Sequence, residues 1–240
     1  MSLRDFQRAL TSLTLDVGFA NAVYAGGIDA LAAYELSPLE ARRLAAVTRQ
    51  PGMSLNCTLA RANRFATIHA VFAMTCVLLG SELRSVLDEL WSGRLPDNVQ
   101  LQGEERPFAD LVQRRIMAEG AASLSQHLPS ILAYEWACME LAQLVRHSVH
   151  PDLAPRESRW VAFSSDPEPV LAALQRGQQP ATDLQSGDYR VRITLIDGDL
   201  ETTTFEVPPD MAGDAAPRQE IVGADAFRAP PTTPDPVVSK

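Results

Sequence analysis

The chain has 240 residues, 46% of them hydrophobic, which is enough apolar content to bury a core and excludes a wholly disordered polypeptide. Its formal net charge is −9, so no overall field draws phosphate backbones or anionic membranes to it, and no run of Lys or Arg supplies a local one. Lys240 is the only lysine, and arginine carries the rest of the positive charge. The three cysteines, Cys57, Cys76 and Cys138, are odd in number and each lies inside an apolar helical pattern, which argues against a disulfide framework. The opening residues, MSLRDFQRAL, lack the uninterrupted apolar segment of a signal peptide. The most apolar run, Phe65 to Leu79, falls short of the roughly 20 residues that span a bilayer and carries His69. A cytoplasmic location is the expectation.

From Leu3 to about Val149 the signals are helical. Leu3, Phe6, Leu10 and Leu13 recur at spacings of three and four, an amphipathic stripe. Ser37-Pro38-Leu39-Glu40 predicts a helix start: Ser37 caps, Pro38 suits the first helical position, and Glu40 closes a capping box. That helix runs to about Arg49 and is stopped by Pro51-Gly52. A long helical segment from Ser54 to Leu79 follows, apolar on almost every side after Phe65, and its expected place is the middle of a bundle. Glu82 to Trp91 reads as a shorter helix and Ser92 to Glu105 as loop. Phe108 to Ala118 and Pro129 to Arg146 complete the helical body.

The prolines between His147 and Glu157 place a domain boundary there. Beyond it the period changes to two. Arg159 to Ser164 predicts a strand, and Asp166 caps a helix from Pro167 to Gln175 with Gly177 as its stop. Tyr189, Val191, Ile193 and Leu195 then alternate with Arg190, Arg192 and Thr194, and Asp197-Gly198 turns the chain into a second hairpin strand, Thr202 to Val207. A two-residue loop would pair Arg190 with Phe205 and mix polar with apolar groups on each face. A three-residue loop, Asp197 to Asp199, pairs Val191 with Phe205 and Arg190 with Glu206 and separates the faces, so the second register is expected. The predicted class is therefore α+β: a helical N-terminal bundle (1–150), then a small β-α-β-β domain with a three-stranded antiparallel sheet (156–207). Residues 208–240, with seven of the 17 prolines and no hydrophobic period, read as a disordered tail.

His147-x-x-His150 resembles half a metal site, but it stands at a helix end beside Pro151 without a cysteine or carboxylate cluster at ligand spacing, so a solvated helix end is the better reading. A cysteine nucleophile would need a basic partner brought to it in space. Arg61, Asn63, Arg64 and His69 cluster at the entry to the most apolar helix, and Glu135 and Glu140 sit on the other apolar helix. Either an Arg–Glu pair locks the two helices together, or the cluster faces another protein. A three-stranded sheet leaves unpaired backbone groups at its edges, to which an extended peptide adds as a further strand. No phosphate loop, dinucleotide fingerprint, zinc-protease motif or nucleophile elbow is present in the sequence.

The segment CTLARANRFATIHAVFAMTCVLLGSELRSVLDELW (Cys57 to Trp91), the stretch YEWACMELA (Tyr134 to Ala142) and the closing pattern WVAFSSDPEPVLAALQRG…GDYRVRITLIDG together resemble the methanobactin biosynthesis protein C family, over about residues 1–207. Members are accessory partners of multinuclear non-heme iron-dependent oxidative enzymes. The resemblance implies a heterodimer with a TIM-barrel iron enzyme that uses O2 to oxidise cysteines of a ribosomally made precursor peptide to oxazolone and thioamide groups, which later chelate copper. This chain would hold the precursor's leader peptide, with no catalytic residues and no cofactor of its own, the iron lying in the partner. Arg190, Val191, Arg192 and Ile193 are the expected peptide-binding strand, and Arg61, Asn63 and Arg64 the expected partner interface. The rival readings are a DNA-binding regulator, disfavoured by the acidic balance, and an independent metal enzyme using His69, His147, His150 and the cysteines.

Overall fold

The computed structural model describes residues 3–92, 103–119, 124–147 and 157–207. Helix α1 (Leu3–Leu15) buries Ala9, Ser12 and Leu13. Of the expected stripe only Leu13 is fully buried, Phe6 packs partly against the core, and Leu3 and Leu10 are exposed. Asp16 then caps α2 (Val17–Gly26) by accepting a hydrogen bond from the Phe19 N–H at 3.0 Å. The capping box at α3 (Pro38–Val47) forms as expected: the Glu40 N–H donates to Ser37 Oγ at 3.3 Å, and the Ser37 N–H donates to the Glu40 carboxylate at 2.8 Å. Those bonds hold the Glu40 carboxyl below its usual range.

The long helix expected from Ser54 to Leu79 is instead two, α4 (Gly52–Val71) and α5 (Ala73–Leu79). Phe72 leaves helical geometry at φ −115°, ψ 42°, and the chain bends by 107° there. Burial drives the corner: the Phe72 ring is fully buried and packs on Phe108 at 5.5 Å between centroids. Nor does α4 sit in the middle of a bundle. It buries Met53, Cys57, Arg64 and Ile68 on one side and exposes Leu55 and Leu59 on the other. Helices α6 (Leu83–Trp91), α7 (Glu105–Glu119) and α8 (Leu128–His147) follow. No single helix among the described residues is long and apolar enough to cross a membrane.

Strand β1 (Ser158–Ser165), helix α9 (Pro167–Gln175) and strands β2 (Ser186–Ile196) and β3 (Asp199–Glu206) complete the chain. The fold is α+β, with a three-stranded antiparallel sheet in the order β1-β2-β3. Val161, Phe163, Val191, Ile193 and Leu195 point to the inner face, where α8 packs and Tyr134 meets Phe163 edge-on at 6.4 Å. The hairpin register differs from the expected one. Asp197 and Gly198 alone form the turn, with φ of 51° and 90°, and Arg190 pairs with Phe205 and Val191 with Thr204. Two positive φ values are the backbone of a type I′ turn, whose twist matches that of the flanking strands. Separating the faces of β3 was no counterweight, because every residue of β3 is exposed.

The chain gathers into two compact units, 1–112 and 113–240, divided within α7. Residues 148–156, where a domain boundary was expected, lie outside the described residues, as do His150 and 208–240. Helix α8 packs with the sheet rather than belonging to a separate helical body.

Candidate functional site

Of the four residues expected to face a peptide, none offers backbone for strand addition. Arg190, Val191, Arg192 and Ile193 lie on β2, the central strand, which pairs with β1 on one side and β3 on the other. Val191 and Ile193 are core side chains on the inner face. Arg190 and Arg192 stand on the outer face, Arg190 with Asp188 at 3.3 Å and Arg192 over the Trp160 ring at 5.8 Å. An added strand must therefore use β1 or β3.

Strand β3 is the more open edge: all eight of its residues are exposed, against only Ala162 and Ser164 on β1. Its hydrogen-bonding phase follows from the Val207 N–H, which donates to the Asp188 carbonyl at 2.8 Å. In an antiparallel ladder the bonded pairs alternate, so Glu201, Thr203 and Phe205 bond inward to Thr194, Arg192 and Arg190. Leu200, Thr202, Thr204 and Glu206 consequently turn their N–H and C=O groups to the open edge. The side chains of Asp199, Glu201, Thr203 and Phe205 form the outer row of the same strand. Phe205 is 42% exposed and rests against Trp160, ring centroids 5.4 Å apart, across β2. The sequence contained a signal for this edge, since a β-β hairpin after an antiparallel β1-β2 pair leaves the last strand outermost, and LETTTFE lacks the alternation of a half-buried strand.

The expected partner-facing residues separate. Asn63 is exposed, and Arg61 is partly exposed, paired with Asp88 and stacked on Trp91 at 5.2 Å. Arg61 also borders a cleft of about 470 Å³ with Tyr24, Met53 and Cys57. Arg64 is no surface residue. It is fully buried, its Nε donating to Glu104 Oε1 at 2.8 Å and its guanidinium lying 5.0 Å from the Trp91 ring centroid. An Arg–Glu lock therefore exists, but its carboxylate is Glu104, in a segment read as loop. Glu140 instead accepts from Trp136 Nε1 at 2.9 Å and faces Arg159 Nε at 3.5 Å.

The chemistry of the remaining candidates is muted. Burial raises the Cys57 thiol, which donates to the Leu13 carbonyl at 3.5 Å, and pushes Cys138 up to about 11. Both are protonated at neutral pH, the opposite of an activated nucleophile. His69 is exposed on α4, and His147 closes α8. Among the described residues no group of three His, Cys, Asp or Glu side chains converges as a metal site requires. Ser165 Oγ and His127 Nδ1 lie 3.4 Å apart, but both side chains are buried, and desolvation lowers the His127 pKa. Comparison of the chain with family models, with curated proteins and with solved structures finds no match.

Proposed function

We propose that this chain is the peptide-holding, non-catalytic subunit of a two-protein oxidative enzyme, taking an extended segment of its peptide substrate as a fourth strand along β3. The observation that carries this reading is the edge itself: β3 is exposed over its whole length, and the backbone N–H and C=O groups of Leu200, Thr202, Thr204 and Glu206 turn to the open edge. Backbone pairing supplies affinity that depends little on sequence, and alternate side chains supply specificity. Held this way, a peptide's reactive residues are tethered near a partner's active site, and the rise in effective concentration asks no chemistry of the holder.

The resemblance to the methanobactin biosynthesis protein C family extends the proposal to its particulars. The partner is then a TIM-barrel enzyme carrying non-heme iron. The substrate is a ribosomally made precursor whose cysteines become oxazolone and thioamide groups, and the bound segment is its leader. Asn63 and Arg61 remain as surface residues for the enzyme partner, Arg64 having moved to the core.

The test is co-expression with a TIM-barrel non-heme iron enzyme of that class and its precursor peptide, using wild-type chain and Thr204→Pro. Proline removes the outward N–H at position 204 but no bond to β2, and an edge strand tolerates it where that N–H faces solvent. The expected result is a one-to-one complex of chain and enzyme in both cases, with precursor retained and oxidised only by the wild type. Equal retention by Thr204→Pro would remove β3 as the binding edge, and oxidation by this chain alone would end the accessory reading.

A further inference from the structure

Taking strand addition at β3 as given, the charge on that edge decides what is added. Reading from the hairpin, the outer row of β3 is Asp199, Glu201, Thr203 and Phe205, and Glu206 ends the inner row. The strand thus carries three carboxylates and no basic residue. Arg190 and Arg192 do not neutralise them. Arg190 lies opposite Phe205 and pairs with Asp188, and Arg192 lies opposite Thr203 and stacks on Trp160. Across the ladder from Asp199 and Glu201 stand Ile196 and Thr194, both uncharged.

We infer that the β3 edge selects a basic strand, with an apolar side chain set against Phe205 and basic side chains against Glu201 and Asp199. The phase of the ladder makes those positions the sensitive ones. Because Glu201, Thr203 and Phe205 bond inward to β2, they face an added antiparallel strand as non-hydrogen-bonded pairs, in which Cα atoms come to about 4.5 Å and side chains approach most closely. Opposite charges there are favourable and like charges unfavourable. Phe205, 42% exposed and steadied by Trp160, gives the neighbouring apolar side chain a surface to cover. Since β3 runs from Asp199 to Glu206, an antiparallel occupant presents its apolar residue first and its basic residues four and six positions later. A second copy of this chain is disfavoured at the same edge, because pairing β3 with itself gathers both sets of Asp199, Glu201 and Glu206 on one ribbon.

The probes are two synthetic decapeptides with an alternating Thr/Val background and Leu at the Phe205-facing position, one with Lys and one with Glu at the positions four and six residues later. Binding is read from the amide NMR shifts of Thr202 and Thr204 in the full chain. The Lys peptide is expected to bind more tightly by about two- to five-fold for each of the two charge pairs, with the preference shrinking at high salt. In the Glu201→Lys chain the preference should fall, and with Asp199→Lys added it should reverse. Both positions are solvent-exposed, so folding is not at stake. If both peptides shift the β3 amides equally, the charge inference is wrong while strand addition stands. If neither moves them, strand addition itself fails. Concentration-dependent dimerisation relieved by blocking β3 with Thr204→Pro would overturn the inference in favour of a second copy.

Discussion

Arg64 shows how one side chain changes meaning between a sequence and a fold. On α4 it follows Arg61 and Asn63 and shares their polar character, yet it is the largest fully buried side chain among the described residues. Glu104 meets its charge at 2.8 Å, both side chains being almost wholly withdrawn from water. Breaking such a pair leaves an uncompensated buried charge. Glu104→Gln and Arg64→Ala are each expected to lower stability by roughly 3–5 kcal/mol, whereas replacing both by apolar residues of similar volume, Arg64→Met with Glu104→Leu, should return most of that loss. Urea denaturation of the three variants decides it: a double variant as unstable as the singles would mean that the pair contributes through shape rather than charge. The same burial makes Arg64→Ala unusable as an interface probe, since any loss of complex would follow from loss of fold. From sequence, the polarity of this cluster was legible, but which member turned inward was not. Glu104 lies 40 residues away, and no local pattern ties it to α4.

At the scale of elements, the β hairpin rests on one dipeptide. Asp197-Gly198 places both central residues at positive φ, and at Gly198 the value of 90° lies where an L side chain crowds its own carbonyl. Gly198→Ala is expected to cost on the order of 1–2 kcal/mol and to loosen β3 first. Amide exchange should therefore accelerate in Thr202–Glu206 before it does in β1, and uniform acceleration across the sheet would show that the hairpin does not open separately. Local turn chemistry was legible in the sequence and pointed to this two-residue loop. The competing argument, that apolar residues share a face, misled because it presumes a strand with one buried face, and β3 has none. A similar limit explains the corner at Phe72. An apolar run on all sides of a helix carries no periodic sign of where it bends, and only the burial of Phe72 against Phe108, 36 positions on, supplies one. Helix α3, by contrast, had a readable start in Ser37-Pro38-Leu39-Glu40, whose capping box forms as that spacing predicts.

Across the whole molecule, two groups with lowered pKa values sit in different compact units, Glu40 within 1–112 and His127 within 113–240. Both signs run the same way. Burial makes the folded His127 a weaker base than its ordinary 6.5, so on acidification the unfolded chain takes up that proton first. The stability His127 lends is complete above about pH 6.5 and is lost as the pH falls from there through its folded value. Glu40 is bonded to Ser37 and ionises below its ordinary 4.5, so its contribution is complete above about pH 4.5 and fades only below that. Acid should therefore weaken the second unit before the first, although the chain's net charge of −9 relaxes toward zero over the same range and by itself would favour compactness. Hydrogen exchange at pH 7.5, 5.5 and 4 should show protection falling first around α8 and the sheet, then around α3. His127→Gln should flatten the first loss and leave the second, and Ser37→Ala should do the reverse. Simultaneous loss in both regions, unchanged by His127→Gln, would mean that the two units unfold as one and that His127 does not govern the acid response.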